Sequence, residues 1–353
     1  LQGFNTVRFH ATSTGINSNL GYERVNSRDR QASYIAPESM DRMAYFISEL
    51  KKNGIYYGLD LTPTALYRDN DVKYFDELGG SHALHWFDPD TMKRRESLAK
   101  QWLTWKNPYT GLSIAEDPSA IWVSYCNECS IFKNNTGPNK ANDYYRKELQ
   151  NYYNEWLREK YPSRAALEYA WYDPSSSEAK GLQPDEDPYD GEGTVRVGND
   201  KNERKTFTEK RDDDNIEFFI DVEQKSIKSM QDSIHEYAPK LLVHGSTTCL
   251  TGDEHSAPLY SAAKAGQFVS YQCYWYLPNG NGERMAKGTT TGSTPPVSSM
   301  TKDDKFLGMM GYIAARKVYG EPYLVTEWDA SQPNPWRCEN NLEMIALTCQ
   351  NRW

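Results

Sequence analysis

Long apolar runs are missing from this sequence. Nowhere do about 18 consecutive apolar residues occur, so no segment reads as a membrane-spanning helix and no membrane partner is expected. Positive charge is in deficit: 40 Lys and Arg stand against 49 Asp and Glu, a net charge of −9. No Lys/Arg-rich stripe offsets that balance, which argues against a nucleic-acid partner. Cysteine is sparse, at Cys126, Cys129, Cys249, Cys273, Cys338 and Cys349. The Cys126–Cys129 pair has a spacing used in redox and zinc sites, but no second such pair and no His pair at ligand spacing accompany it. No metal and no cofactor is therefore expected. The opening Leu1-Gln2-Gly3-Phe4-Asn5 lacks a signal-peptide pattern and reads as the interior of a domain, which leaves the compartment undetermined. Oligomeric state is not legible either.

Aromatic residues are what the chain has in excess. Tyr (25), Phe (11) and Trp (10) make up 13% of the sequence, within a hydrophobic total of only 38%. Flat, amphipathic side chains in that number suit carbohydrate or protein recognition as well as ordinary core filling. The length of 353 residues fits two average domains or one α/β barrel.

Periodicity favours the second. Short β-type runs at Phe4–His10, Ile55–Leu61, Ala120–Tyr125, Leu241–Gly245, Phe268–Trp275 and Pro322–Trp328 alternate with helical patterns. The helical stretches are Met40–Lys52, Met92–Trp105, Ala141–Lys160, Asp214–Tyr237, Pro258–Ala265, Asp303–Tyr319 and Asn340–Cys349. Met43, Phe46, Ile47 and Leu50 form the apolar stripe of the first, and Gly54 stands where a helix stop is expected. Between 173 and 213 the chain turns dense in charge, Gly, Pro and Ser, and reads as a charged surface insertion. Strands alternating with helices imply a parallel sheet. The near-continuous apolar strand runs suggest that both faces are covered. An open doubly wound sheet would usually show a Gly-rich turn after its first strand, and Ala11-Thr12-Ser13-Thr14-Gly15 is not one. Polar and aromatic residues instead crowd the C-terminal ends of the strands: Arg8, His10, Asp60, Asn127, Glu128, His244, Tyr274, Trp275, Glu327 and Trp328. That distribution predicts a (β/α)8 barrel of TIM type with its site at one face.

Two of those residues are glutamates on different strands. In a barrel all strand ends converge, so Glu128 and Glu327 can meet although they are far apart in sequence. Two carboxyl groups facing one another across a sugar ring are what glycoside hydrolysis requires, one as acid and the other as base or nucleophile. Carboxyl groups about 5–5.5 Å apart fit retention of configuration, and roughly 6.5–9.5 Å fits inversion.

Asn127-Glu128 at one strand end and Glu327 three strands later resemble the clan of retaining (β/α)8 glycoside hydrolases typified by the cellulases of glycoside hydrolase family 5. The resemblance implies a single catalytic barrel over 1–353, with Glu128 as acid/base and Glu327 as nucleophile. It also implies that Arg8 sits beside the nucleophile, that Asn127 holds a sugar hydroxyl, and that Tyr274 hydrogen-bonds Glu327. Arg8 and Tyr274 would thus hold the Glu327 carboxylate by charge and hydrogen bonding. His10, Asp60 and His244 are further candidates for binding hydroxyls in the cleft. Trp86, Trp275, Trp328 and Trp336 are candidate stacking platforms for sugar rings. The partner implied is a carbohydrate, with a polysaccharide suggested by the aromatic content, and the resemblance suggests a secreted or periplasmic setting.

The sequence departs from that pattern in three places. Gln272 stands where the clan has His in its sixth-strand His-x-Tyr, so the role of that imidazole is lost or reassigned. Cys129 follows Asn-Glu where family 5 commonly has Pro. The first run here matches the clan's second strand and the chain stops after the seventh, so a first and an eighth strand are expected to be missing, as in a piece of a longer protein or an incomplete barrel. A fragment is the expectation, because an open barrel leaves strand edges bare. Two other classes remain open: a non-catalytic carbohydrate-binding protein on the same fold, and a barrel enzyme with a metal on Cys126, Cys129 and His244.

Overall fold

The computed structural model describes residues 4–9, 37–61, 84–127, 130–132, 141–176, 178–199, 201–247, 256–276, 313–330 and 337–353. Its strands are β1 (Thr6–Phe9), β2 (Tyr56–Asp60), β3 (Ala120–Asn127), β4 (Leu242–Thr247), β5 (Val269–Tyr276) and β6 (Tyr323–Ala330). The longer helices are α1 (Pro37–Lys52), α3 (Pro89–Thr104), α4 (Asp143–Lys160), α5 (Arg164–Trp171), α7 (Glu209–His235), α8 (Ser256–Ala265) and α9 (Arg337–Asn351), and α2 (Leu84–Phe87) and α6 (Lys201–Arg204) are single turns. The expected helix over 303–319 falls mostly outside the described residues.

Local sequence explains the helix ends. At α1 the Gly54 N–H bonds Lys51 O and the Ile55 N–H bonds Leu50 O. This double closure needs a left-handed residue, and Gly54 supplies it with φ +68°. Asp88 caps α3 through Thr91 N–H at 2.8 Å, with Pro89 behind it, and Asn142 caps α4 through Tyr145 N–H at 3.2 Å.

The pairings between the described strands are all parallel. The order is β1-β2-β3-β4 in one sheet and β5-β6 in a second. The protein is thus an α/β structure on parallel sheets, and no closed barrel is formed among the described residues. Specific bonds tie the seams instead. Gln267 brackets Val243 of β4, its N–H donating to Val243 O (3.1 Å) and its Oε1 accepting from Val243 N–H (2.8 Å). At the other seam Arg8 of β1 donates to Thr326 O of β6 at 3.2 Å.

The strands alternate rather than running apolar on both faces. Phe9, Tyr57, Leu59, Val123 and Val243 enter one core with Met43 and Ile47 of α1, Trp102 of α3, Leu149 and Tyr153 of α4, and Phe218 of α7. The opposite face carries polar residues, Arg8, Asp60, Ser124, His244 and, on β5, Ser270 and Gln272, beside the Trp122 indole. Gly58 pairs with Trp122 in register, and a Cβ there would lie 2.1 Å from the indole, so only glycine fits beside that ring. A second, smaller core joins Val269, Tyr271, Tyr323 and Met344 of β5, β6 and α9.

The charged segment over 173–213, expected at the surface, is anchored in the interior. Glu186, Val195 and Val197 are buried, and Asn154 of α4 bonds both the N–H and the C=O of Val195 at 3.0 Å. Burial of charge is possible here because Glu186 meets Arg211, a pairing that composition alone does not announce.

Candidate active site

The polar face of the sheets gathers side chains from β1, β2, β3, β5 and β6 around one carboxylate, Glu327. Arg8 is the hub. Its Nη1 bonds Glu327 Oε1 and Thr326 O, and its Nη2 bonds Asp60 Oδ2 (2.5 Å) and Asn127 Oδ1 (2.7 Å). Gln272 adds a second set of donors, its Nε2 reaching Asn127 Oδ1 at 3.0 Å and Glu327 Oε1 at 2.9 Å. Two donors on Asn127 Oδ1 fix that amide and turn its Nδ2 to the opposite side. One guanidinium thus lies between two carboxylates of unequal exposure, since the Asp60 side chain is fully buried and that of Glu327 is 20% exposed. Glu327 is therefore the acid that reaches the surface of the cluster, and Asp60 is its internal counterweight.

A β-bulge aims Glu327 there. Tyr271 pairs with Val325, but the next residue, Gln272, pairs with Glu327, so Thr326 is extra on β6. In an uninterrupted strand Val325 and Glu327 would share a face, and Val325 packs against the second core. The extra residue turns Glu327 away from that core to the side of Gln272. Arg8 holds the bulge by taking Thr326 O.

Glu128 and His10 lie outside the described residues, as does Trp336. The side chains of Tyr274, Trp275 and Cys126 likewise lie outside the described set, although the backbones of all three run in β5 and β3. Trp328 is partly buried and packs against the second core. Trp86 is buried in α2 within the main core, so it is a packing residue and not a platform for a sugar. Asp60 orients Arg8 instead of lining a cleft. Gln272 is the participant that strand-end patterning alone overlooks; its place in the sixth-strand motif was the available signal. Among the described residues no group of three or more His, Cys, Asp and Glu is arranged to hold a metal ion, and no helix is long and apolar enough to cross a membrane.

His244 is fully buried and stacks on Phe268 with ring centroids 4.5 Å apart. It therefore has no solvent-facing surface in this structure. Burial pushes its pKa down to about 3; the Asp60 charge opposes this and the Arg8 charge adds to it. The unfolded chain gains a proton here below about pH 6.5 while the folded one does not, so this contribution to stability is complete above pH 6.5 and falls away toward pH 3. Between pH 6.5 and 5 the expected loss is about 2 kcal/mol. Denaturant midpoints at pH 7 and 5 should thus diverge in the wild type and converge in His244→Phe. An equal slope in both proteins would reject the assignment.

No family model and no curated protein matches the sequence. Solved structures that resemble the fold include an exo-β-agarase (16% identity, TM-score 0.42, covering 71% of this chain and 30% of that one). Another is the cold-adapted β-galactosidase of Rahnella sp. R3 (15% identity, TM-score 0.49, 76% and 34%). A third is the endo-1,4-β-mannanase of Rhizomucor miehei (13% identity, TM-score 0.41, 84% and 61%). The chain spans about a third of the length of the first two. At TM-scores below 0.5 these likenesses carry no argument about the chemistry, which rests on the site.

Proposed function

We propose that the protein is a retaining glycoside hydrolase acting on β-linked oligo- or polysaccharides. The observation that carries this reading is the convergence of Arg8 and Gln272 on a partly exposed Glu327, with Asn127 bonded to both of them. A carboxylate held by an arginine and an amide has a fixed direction of attack, which is what a nucleophile in displacement chemistry needs. In this reading Glu327 attacks the anomeric carbon while Glu128 protonates the departing oxygen. Glu128 then deprotonates a water, which releases the sugar with its configuration retained. Asn127, Tyr274, Trp275 and Trp328 would contact the sugar, and Arg8 would steady the nucleophile.

The test is covalent. A panel of 2-deoxy-2-fluoro β-glycosides with good leaving groups should inactivate the protein in proportion to time, and the added mass should map to the peptide containing Glu327. Turnover of a substrate panel without any trapped adduct, or with the adduct on another residue, would refute the assignment. Sugar binding without turnover on every substrate would favour the carbohydrate-binding alternative.

A further inference from the structure

Two carboxylates share one cation in this site, and only Glu327 has exposed surface; the Asp60 side chain has none. The strand pattern places both charges. Arg8 of β1 pairs in register with Gly58 of β2, and Asp60 lies two residues further along the same face. Gly58 puts no side chain between them, so the guanidinium reaches Asp60 along the strand. Its Nη2 meets Asp60 Oδ2 at 2.5 Å while its Nη1 bonds Glu327 Oε1. Among the described residues of this face no other anion is in reach of Arg8. Ser124 of β3 pairs with Asp60 in register, and Asn127 and Gln272 are neutral amides. His244 of β4, pushed down to about 3 by burial, is uncharged above that pH. Glu128, in the proposed scheme, adds the one further titrating group at the cleft. An arginine that faced Glu327 alone would hold it too well. Attack on the anomeric carbon takes negative charge off Glu327, and an uncompensated guanidinium opposes that loss.

We infer that Asp60 is a positioning residue for Glu327 that acts through Arg8: its buried charge offsets the guanidinium, so that Arg8 aims the nucleophile without quenching it. The inference rests on the proposed function, and it assigns Asp60 no contact with substrate. It separates the two half-reactions. In glycosylation a Glu327 oxygen bonds the anomeric carbon as the aglycone leaves with the proton of Glu128, and Glu327 gives up charge. Asp60 helps this step. In deglycosylation that bond breaks as water, giving a proton to Glu128, takes the sugar, and the charge returns to Glu327. A second anion behind Arg8 does not help that return.

Three readouts on the intact chain test this. Asp60→Asn removes the charge in a near-isosteric side chain that can still present an oxygen to Arg8. Glycosylation, read as the rate of inactivation by 2-deoxy-2-fluoro β-glycosides, should slow at least about tenfold. Reactivation of the isolated fluoroglycosyl enzyme in water reads deglycosylation alone, and it should run at the wild-type rate or faster. The acid-side fall of the inactivation rate should move down by roughly one pH unit, because the unopposed guanidinium keeps Glu327 charged to lower pH. His244 stays uncharged over that range and does not contribute to the movement. Asp60→Thr, which also removes the charge and suits a strand, gives the same readouts if the amide variant does not fold. Equal slowing of both half-reactions, an unmoved profile or wild-type rates would each overturn the inference, and loss of folding in both variants would leave Asp60 a structural role only and overturn it too. A wild-type protein that no member of the series inactivates overturns the glycosidase reading and this inference with it. An active wild type with the wrong split in the variant overturns the role of Asp60 alone.

Discussion

Glu327→Gln should lower turnover of a β-linked substrate by at least about 10⁴-fold, since loss of a covalent nucleophile costs on the order of 10⁶ in a well-studied hydrolase. The amide is nearly isosteric and keeps an oxygen in place for Gln272 and Arg8, both of which now bond Glu327 Oε1. Arg8 is not stranded by the change, because its other nitrogen still meets the buried Asp60. Unfolding stability should therefore shift by no more than about 1 kcal/mol, and the loss is one of chemistry. A stricter form of the experiment uses Glu327→Ala with added azide. The shortened side chain leaves room for a small anion to attack the anomeric carbon as the aglycone departs, so the product should be a glycosyl azide of inverted configuration. Recovery of rate with that stereochemistry identifies the missing nucleophile. Near-wild-type turnover in Glu327→Gln, or rescue giving the retained azide, would remove Glu327 from that role.

The sites of the strands were legible because their signal is local: a short apolar run, a polar residue at its end, a helix stripe after it. Arg8, Asn127 and Glu327 could be named on that basis, and the structure brings these three together. What makes them meet was not legible. The bulge at Thr326 is a mismatch between β5 and β6, a property of two strands and of neither sequence alone. The direction of Asp60 and His244 depends likewise on pairing register, which places both on a buried polar face where a strand-end position had suggested contact with ligand. Trp86 misled for a related reason. An indole reads the same whether it will line a cleft or fill a core, and only the packing of α2 against its neighbours decides.

Segment 173–213 shows the same limit at its sharpest, and it sets the largest expected change in stability. Arg211 of α7 makes a paired contact with Glu186, Nη1 to Oε2 at 2.8 Å and Nη2 to Oε1 at 2.7 Å, and both side chains are essentially excluded from solvent. The guanidinium also donates to Gly181 O and Arg196 O, and it lies over the rings of Phe207 and Trp171 at 4.2 and 4.9 Å. Glu186 accepts in addition from the backbone N–H groups of Gln183 and Arg196. The pair is thus the joint by which a charge-rich segment closes onto α5 and α7. Arg211→Met preserves most of the apolar stem but leaves Glu186 as a buried anion short of its main partner, and should cost about 3–5 kcal/mol. Glu186→Gln strands the opposite charge, the buried Arg211 guanidinium, and sets an amide NH2 against N–H donors, so its cost should be comparable. Combining Arg211→Met with Glu186→Gln should recover part of the loss of Arg211→Met alone, because the stranded charge is gone. Denaturant midpoints of the four proteins, read at a common slope, give that coupling directly. Additive losses, or a cost for Arg211→Met below about 1 kcal/mol, would mean that the pair is open to water in solution and that the segment does behave as the solvated insertion its composition suggests.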